Sequence, residues 1–242
     1  MQAWTSPGTT ERPARRSVRR SVGRPVERLG FALFVLCATP LALHVKRYAL
    51  GELGVDPLQS LIHACGWWAL ALLLATLAVT PVRRASVWLA RVAAVRHGRR
   101  LSDWNFIIRH RRQLGLWSFF YATLHVALYA VLDAGSLREV LHDLAERPFI
   151  AFGLVGFALL VPLAATSTRA AMRLLKRHWA RLHLLVYPAL VSALLHAWWQ
   201  TKHGHDLPWG FVGVASVLLA ARVLAWAAGD RTRAAEVPAR GP

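Results

Sequence analysis

Four histidines lie inside long apolar stretches of the chain, where a polar side chain is unusual: His63, His125, His183 and His196. Polar residues within an apolar membrane span are costly, usually face the interior of a helix bundle, and often serve a function. For one such histidine, a hydrogen bond between helices is a sufficient explanation. Four together favour a metal centre, because neutral imidazole is an axial ligand of haem iron and helix bundles hold cofactors between facing helices.

The residues that these stretches lack narrow the chemistry further. They contain no Asp or Glu, whereas proton relays and cation pathways usually combine histidine with carboxylates. The two cysteines, Cys37 and Cys65, form no CxxC motif, so thiol redox chemistry and structural zinc are not indicated. The pattern therefore favours electron transfer through a metal over proton translocation. A small membrane transporter is the alternative from another functional class.

The spacing of the histidines limits how they can pair. On a straight helix, His183 and His196 are about 20 Å apart along the axis and about 140° apart around it. Pro188 lies between them and is a candidate kink that would change this angle. The estimated depths allow a haem between His125 and His196, toward the outer side of the membrane. His183 is then expected either to bind a second haem or to be an alternative partner of His125. His63 is expected to lie nearer the outer surface.

Six apolar stretches must position these residues, and each approaches the roughly 20 residues that a membrane span needs. The chain has 242 residues, of which 55% are hydrophobic, and a mean hydropathy of +0.35, which is typical of a membrane protein. The predicted spans are residues 29–45, 58–80, 114–132, 149–166, 182–199 and 209–226. Only the last contains a formal charge, Arg222, which is expected to extend to the membrane interface. The predicted fold is all-α, a polytopic six-helix transmembrane bundle that binds haem.

The net charge of +18 raises the question of nucleic-acid binding, but the placement of the basic residues answers it differently. Six spans place the N-terminal tail, the 81–113 loop, the 167–181 loop and the C-terminal end on one side. These segments, with Arg222, hold 25 of the 30 Lys and Arg residues. This asymmetry is the positive-inside pattern, so both termini are predicted to be cytoplasmic and no nucleic-acid partner is expected.

The chain divides into three predicted regions. Residues 1–28 form a basic, disordered cytoplasmic arm, residues 29–227 the transmembrane domain, and residues 228–242 a cytoplasmic tail. In the 81–113 loop, the spacing of Trp88, Val92 and Val95 predicts a short helix on the cytoplasmic leaflet. On the opposite side, Ser136 and Glu139 have capping-box spacing, which predicts a short surface helix before Pro148.

Several long motifs carry a resemblance to a known family. They are GVDPLQSLIHACGWWAL at 54–70, RRQLGLWSFFYATLH at 111–125, ERPFIAFG at 146–153, and TSTRAAMRLLKRHWARLHLLVY at 166–187 with LLHAWW at 194–199. Together they resemble the haem-binding membrane subunits of bacterial periplasmic methionine-sulfoxide reductase systems, the MsrQ (formerly YedZ) family. The similarity covers about residues 30–227. That family belongs to the ferric-reductase-like transmembrane group, which also includes the NADPH oxidases, and it lacks their cytoplasmic flavin and NADPH domain.

The resemblance implies one or two b-type haems on His125, His183 and His196, with His63 as a nearby or alternative ligand, and a bound FMN. It implies electrons from the quinone pool or a cytoplasmic flavin reductase, passed outward to a periplasmic molybdopterin-containing methionine-sulfoxide reductase, MsrP. The sulfoxide-reducing chemistry is then expected on that partner, and this chain in the bacterial inner membrane. Two departures from the family, the long 81–113 loop and the extended N-terminal arm, bear on where electrons enter.

Arginine clusters near the span ends are candidates for binding haem propionates or an FMN phosphate: Arg83 with Arg84, Arg111 with Arg112, and Arg177 with Arg181. For Arg112, Arg177 and Arg181, the alternative is a topology signal with contacts to anionic lipid. The alternative functions are a stand-alone ferric-reductase-like cytochrome b, a small transporter, and a structural subunit without a cofactor.

Overall fold

The computed structural model describes the backbone of residues 14–92, 105–201 and 209–235, and the side chains of 28–89, 92, 110–201 and 209–227. Nine α-helices and no strands occur in these ranges. The helices are α1 (Ala14–Ala49), α2 (Pro57–Val92), α3 (Asn105–Leu128), α4 (Leu137–Glu146), α5 (Pro148–Ala165), α6 (Arg169–Leu175), α7 (Arg177–Leu182), α8 (Val186–Thr201) and α9 (Trp209–Ala235). Contacts divide the chain into units 1–39 and 40–242, and the core and site described below lie in the second unit.

Six helical segments in the described ranges are long and apolar enough to cross a membrane, which confirms the predicted all-α, multi-pass fold. They are Arg28–Ala49, Pro57–Leu89, His110–Asp133, Pro148–Ala165, Arg177–Thr201 and Trp209–Ala227. Residues 14–27 differ from the predicted disordered arm, because they continue α1 toward its N-terminus. Residues 1–13 and 236–242 lie outside the described part of the chain.

The second span is longer than its apolar sequence indicates. α2 passes through Pro81 and ends at Val92, so Trp88 and Val92 continue this helix and do not begin a separate one on the leaflet. Val95, the third residue of that predicted pattern, lies outside the described residues. A proline removes one backbone donor without ending a membrane helix when its neighbours satisfy the freed carbonyl.

α2 is the central helix of the second unit. Half of its most apolar 18-residue window is buried, against 11–17% for the other five spans, so α2 contacts neighbours on several sides. Leu70, Leu73, Leu74 and Leu77 follow the i, i+3, i+4, i+7 pattern of a buried helix face. They form one core with Leu163 of α5, Val186 and Leu190 of α8, and Ala215 and Leu218 of α9. The most extensive helix pairs are α2 with α3 and α5 with α8.

The connection between α3 and α5 contains the predicted short helix. α3 ends in a π-helical turn, Tyr129–Asp133, and α4 follows with the Ser136 hydroxyl accepting a hydrogen bond from the Glu139 backbone N–H at 3.2 Å. This confirms the predicted cap. Tyr129 donates to Asp143 at 2.7 Å, which ties α4 to the end of α3.

The helical stretch that leads into α8 is irregular at a place other than the predicted kink. α7 passes into a 3-10 turn at His183–Leu185 before α8 begins. Pro188 lies in the first turn of α8, where the missing N–H costs little because the first backbone donors of a helix have no intrahelical partner. Each residue of a 3-10 helix turns the chain by about 120° around the helix axis, against about 100° in an α-helix. Three such residues therefore reduce the angle between His183 and His196 around the axis from about 140° to about 80°.

Candidate functional site

Two of the four histidines meet between α3 and α8. The ring centroids of His125 and His196 are 6.0 Å apart, and the ring planes are nearly perpendicular at 78°. These residues are 71 positions apart in the chain, so only the packing of the two helices brings them together. We refer to them as the histidine pair.

The two imidazoles of the histidine pair are held in the same way. His125 Nδ1 is 2.8 Å from the backbone oxygen of Ile62 on α2, and His196 Nδ1 is 2.7 Å from that of Phe149 on α5. A carbonyl oxygen only accepts, so each Nδ1 carries a proton and donates it. In a neutral imidazole the lone pair is then on Nε2, which is the usual arrangement of a histidine that binds a metal.

A glycine lies one helical turn after each accepting carbonyl and makes room for the ring. A Cβ atom on Gly153 would be 2.8 Å from His196 Nδ1, and one on Gly66 would be 3.1 Å from His125 Nδ1. The first distance is shorter than real Cβ contacts allow, and the second is tight. Glycine weakens a helix by about 1 kcal/mol relative to alanine, so two glycines in these places have a clear steric reason.

The site fits a metal that arrives with its own ligands. No group of three or more His, Cys, Asp or Glu residues able to hold a bare metal ion occurs among the described residues. Two imidazoles with centroids 6.0 Å apart leave room for one metal atom, because a metal–imidazole bond is about 2 Å long. Haem iron takes at most two ligands from the protein, since the porphyrin supplies the other four. The residues therefore fit haem.

His63 lies next to Ile62 in α2, but its ring bonds a residue outside the histidine pair. Its Nε2 is 2.9 Å from Nε2 of Gln200, which follows His196 by one turn of α8. The amide nitrogen donates and the imidazole nitrogen accepts. This geometry suits the predicted role beside the ligands better than the alternative of direct ligation.

The structure places His183 apart from the histidine pair. His183 Nδ1 bonds the backbone oxygen of Trp179 at 3.1 Å, and its ring stacks on the Trp179 indole at 3.9 Å. The same indole donates to the backbone oxygen of Thr166 at 3.1 Å. In the described part of the chain, no ring contact joins His183 to another histidine. The ligand roles predicted for His125, His183 and His196 stay predictions, and the geometry pairs only the first with the third.

The arginines separate into an exposed and a half-buried group. Arg112, Arg177 and Arg181 are exposed, and their predicted roles toward a propionate or a phosphate stay predictions. Arg222 instead is half-buried and turned inward, which differs from the expected extension to the interface. It donates to the Tyr187 hydroxyl and, at 3.0 Å, to the backbone oxygen of Leu77.

Sequence patterns pointed to the histidines but not to Gly66, Gly153, Gln200 or the inward orientation of Arg222. The glycines carry a signal that is visible afterwards. Each glycine lies four positions after the apolar residue whose carbonyl accepts the hydrogen bond. The two segments are IHACG (62–66) and FIAFG (149–153). Residues four apart lie on the same helix face, so a glycine at the second position leaves space for a ring from another helix to reach the carbonyl of the first.

Known proteins resemble the chain over most of its length. The family described as ferric reductase like transmembrane component matches residues 65–194. A relative from Xanthomonas axonopodis pv. citri is 42% identical over 172 residues, which are 71% of this chain and 72% of the relative. One from Ralstonia nicotianae is 39% identical over 196 residues, which are 79% and 83%. Both are named protein-methionine-sulfoxide reductase heme-binding subunit MsrQ.

Proposed function

Since the chain belongs to the ferric-reductase-like transmembrane family, and to the MsrQ group within it, we propose that it binds b-type haem and transfers electrons across the bacterial inner membrane. The observation that carries the proposal is the histidine pair. Its two Nδ1 atoms are bound to backbone carbonyls, so both Nε2 lone pairs are available for iron. The relatives' name supports the same cofactor, because it describes them as heme-binding.

His125 and His196 would hold one haem through their Nε2 atoms. When bound, the haem supplies an iron that takes up and releases one electron at a time. The protein residues orient the imidazoles and raise the basicity of Nε2 through the Nδ1 hydrogen bonds. The apolar core around α2 keeps water away, which helps set the redox potential. His183 is the ligand residue for a second haem if the protein has two.

The finer parts of the proposal concern the partners. We propose that electrons enter on the cytoplasmic side from the quinone pool or a flavin reductase, with FMN as a further cofactor, and leave to a periplasmic molybdopterin partner of the MsrP type. The relatives' name supports a methionine-sulfoxide reductase system. On the predicted outer side, α4 exposes the charged residues Arg138, Glu139 and Glu146, which a soluble partner can recognise.

A stand-alone ferric-reductase-like cytochrome b is the second candidate, because the matching family description names ferric reductase. The two candidates share the haem and differ in the acceptor. Reoxidation of the haem in membranes that were first reduced with dithionite distinguishes the two candidates. We expect the reduced haem to be reoxidised by methionine sulfoxide only when the MsrP-type partner is present, whereas a ferric reductase would be reoxidised by chelated Fe³⁺ without it.

The central experiment is an absorption spectrum of the purified protein. We expect a Soret band and a sharp α band on dithionite reduction, and haem in the pyridine haemochrome assay. His142→Ala is the matched control for variants of the pair, since His142 is an exposed histidine of α4 that contacts only Glu146 among the described ion pairs. A colourless protein that inserts normally into the membrane would refute the proposed function.

A further inference from the structure

A small polar network lies at the predicted outer end of the bundle, one helical turn beyond the histidine pair. Its centre is Asp143, in the last turn of α4. The Tyr129 hydroxyl donates to one oxygen of the Asp143 carboxylate at 2.7 Å, and Nε of Arg147 lies 3.5 Å from the other oxygen. The network therefore joins the end of α3 to the residue that precedes α5.

Asp143 is turned inward, unlike the other acidic residues of α4. Its side chain is 17% exposed, whereas that of Glu146 is 60% exposed and Glu139 is also exposed. A carboxylate in the last turn of a helix is unfavourable, because the C-terminal end of a helix carries a partial negative charge. The position of this carboxylate is therefore explained by its contacts outside α4, with Tyr129 and Arg147.

At one end of the network, Tyr129 holds the turn of α3 that follows His125. The two residues are four positions apart, so their side chains lie on the same face of the helix. The chain changes at Tyr129 from an α-helix to a π-helical turn, in which the Tyr129 backbone oxygen accepts from the Ala134 N–H at 2.8 Å. Such turns are rare and often occur at functional sites. Both the backbone and the side chain of Tyr129 therefore fix the segment next to His125.

At the other end of the network, Arg147 lies two residues before the carbonyl that holds His196. The Arg147 backbone oxygen accepts from the Ile150 N–H at 2.9 Å and so caps the start of α5. Phe149, in the first turn of α5, accepts from His196 Nδ1 at 2.7 Å. The fit is tight, because a Cβ atom on Gly153 would be 2.8 Å from the same nitrogen. A small shift of the start of α5 therefore changes the hydrogen bond of His196.

We propose that Asp143 is a positioning residue for the haem site. It sets the start of α5 against the end of α3, and in this way it fixes the two imidazoles of the histidine pair relative to each other. The inference rests on the proposed function for the cofactor, but it concerns a residue whose described bonds go to Tyr129 and Arg147 and to neither histidine. The Nδ1 hydrogen bond controls the orientation and the basicity of a ligating imidazole. Loss of the network therefore weakens this bond at His196 and turns the ring.

Four variants separate the contacts of Asp143 from its charge. Asp143→Ala removes both contacts, Tyr129→Phe removes the hydrogen bond and keeps the charge, and Asp143→Asn removes the charge and keeps an acceptor for Tyr129. The matched control is Asp133→Asn, which removes the same charge from an exposed residue one turn after Tyr129. The haem-loaded proteins are purified in nanodiscs. The measurements are the low-spin EPR spectrum, which responds to the orientation of the axial imidazoles, and the rate of haem transfer to apomyoglobin.

We expect Asp143→Ala and Tyr129→Phe to shift the EPR spectrum in the same direction and to release haem several-fold faster than wild type. The double variant should release haem no faster than Asp143→Ala alone, because both changes break the same contact and their effects are then not additive. Asp143→Asn should lie between wild type and Asp143→Ala. Asp133→Asn should have the spectrum and the haem release of wild type.

Two results would overturn the inference. One is an unchanged EPR spectrum with unchanged haem release in Tyr129→Phe, which removes a single oxygen atom and keeps the falsifying test in place even where Asp143→Ala does not insert. The other is that Asp133→Asn has the same effect as Asp143→Ala, which would indicate an effect of charge alone. Failure of the proposed function is distinguishable from both, because wild type itself then contains no haem, whereas failure of the inference leaves wild type with a normal low-spin spectrum.

Discussion

The histidine pair and Arg222 are both polar groups in an apolar bundle, and each leaves a different kind of atom without a partner. In the pair, each Nδ1 proton is given to a backbone carbonyl, and a lone pair is left over on Nε2. Arg222 instead donates through its two terminal nitrogens to Tyr187 and Leu77, and its buried Nε–H has no acceptor among the described residues. A spare lone pair suits a metal, whereas a spare N–H on a cation suits an anion. The unused atom, more than the residue type, indicates the ligand.

The largest expected effect is the loss of either member of the pair. His125→Ala and His196→Ala remove one axial ligand, so the haem should be lost or become high-spin. His183→Ala should spare the haem band of the pair, since His183 contacts its own helix and Trp179. Haem content and reduced-minus-oxidised spectra measure all three variants at equal membrane insertion. A full, low-spin spectrum in His196→Ala would break the assignment.

The next effect concerns the glycines that seat the rings. Gly153→Ala should displace His196 and cost about 1–3 kcal/mol by overpacking, with a clear drop in haem content. Gly66→Ala should have a smaller effect, because its contact with His125 is 0.3 Å longer, 3.1 against 2.8 Å. Gly213→Ala on α9 is the matched control. It has open space, so it should be neutral or stabilising by up to about 1 kcal/mol.

Haem content per protein and thermal unfolding measure these glycine variants. The reverse order, with Gly66→Ala more damaging than Gly153→Ala, would contradict the steric account. An effect of Gly213→Ala equal to the others would show that helix flexibility, and not ring seating, is what the glycines provide.

A moderate effect is expected at Arg222. Tyr187→Phe removes the hydroxyl that accepts from Arg222 and leaves a charged donor unpaired, which should lower the free energy of unfolding by about 1–3 kcal/mol. The haem spectrum of the pair should not change. Thermal unfolding and the reduced-minus-oxidised spectrum measure the two expectations, and a changed haem spectrum would show that the two regions are not independent.

The smallest effect is expected at His63. His63→Ala removes one hydrogen bond with Gln200, worth about 1 kcal/mol, and should keep the haem while shifting its potential slightly. Gln200→Ala should reproduce this shift, and potentiometric titration compares the two. Complete haem loss in His63→Ala alone would mean that His63 is a ligand and that the pair is assigned wrongly.

Hydropathy was sufficient to predict the number of spans, because an apolar stretch of about 20 residues has few stable alternatives to a membrane helix. The capping of α4 was also predictable, since Ser136 and Glu139 are three residues apart and interact locally. The end of α2 was not. Its helix continues past Pro81 through basic residues that hydropathy assigns to a loop.

Residue types in the spans identified His63, His125, His183 and His196 as a set, because buried imidazoles are rare whatever the fold. The different hydrogen-bond partners of these four histidines depend on contacts between helices that are distant in the chain. Packing of α3 against α2, and of α5 against α8, decides which carbonyl each ring meets and where a glycine is required. It also turns Arg222 inward to Leu77 and Tyr187. Local sequence carries no information on such pairings, since one ring or guanidinium can satisfy its donors against many partners and only the assembled bundle selects one.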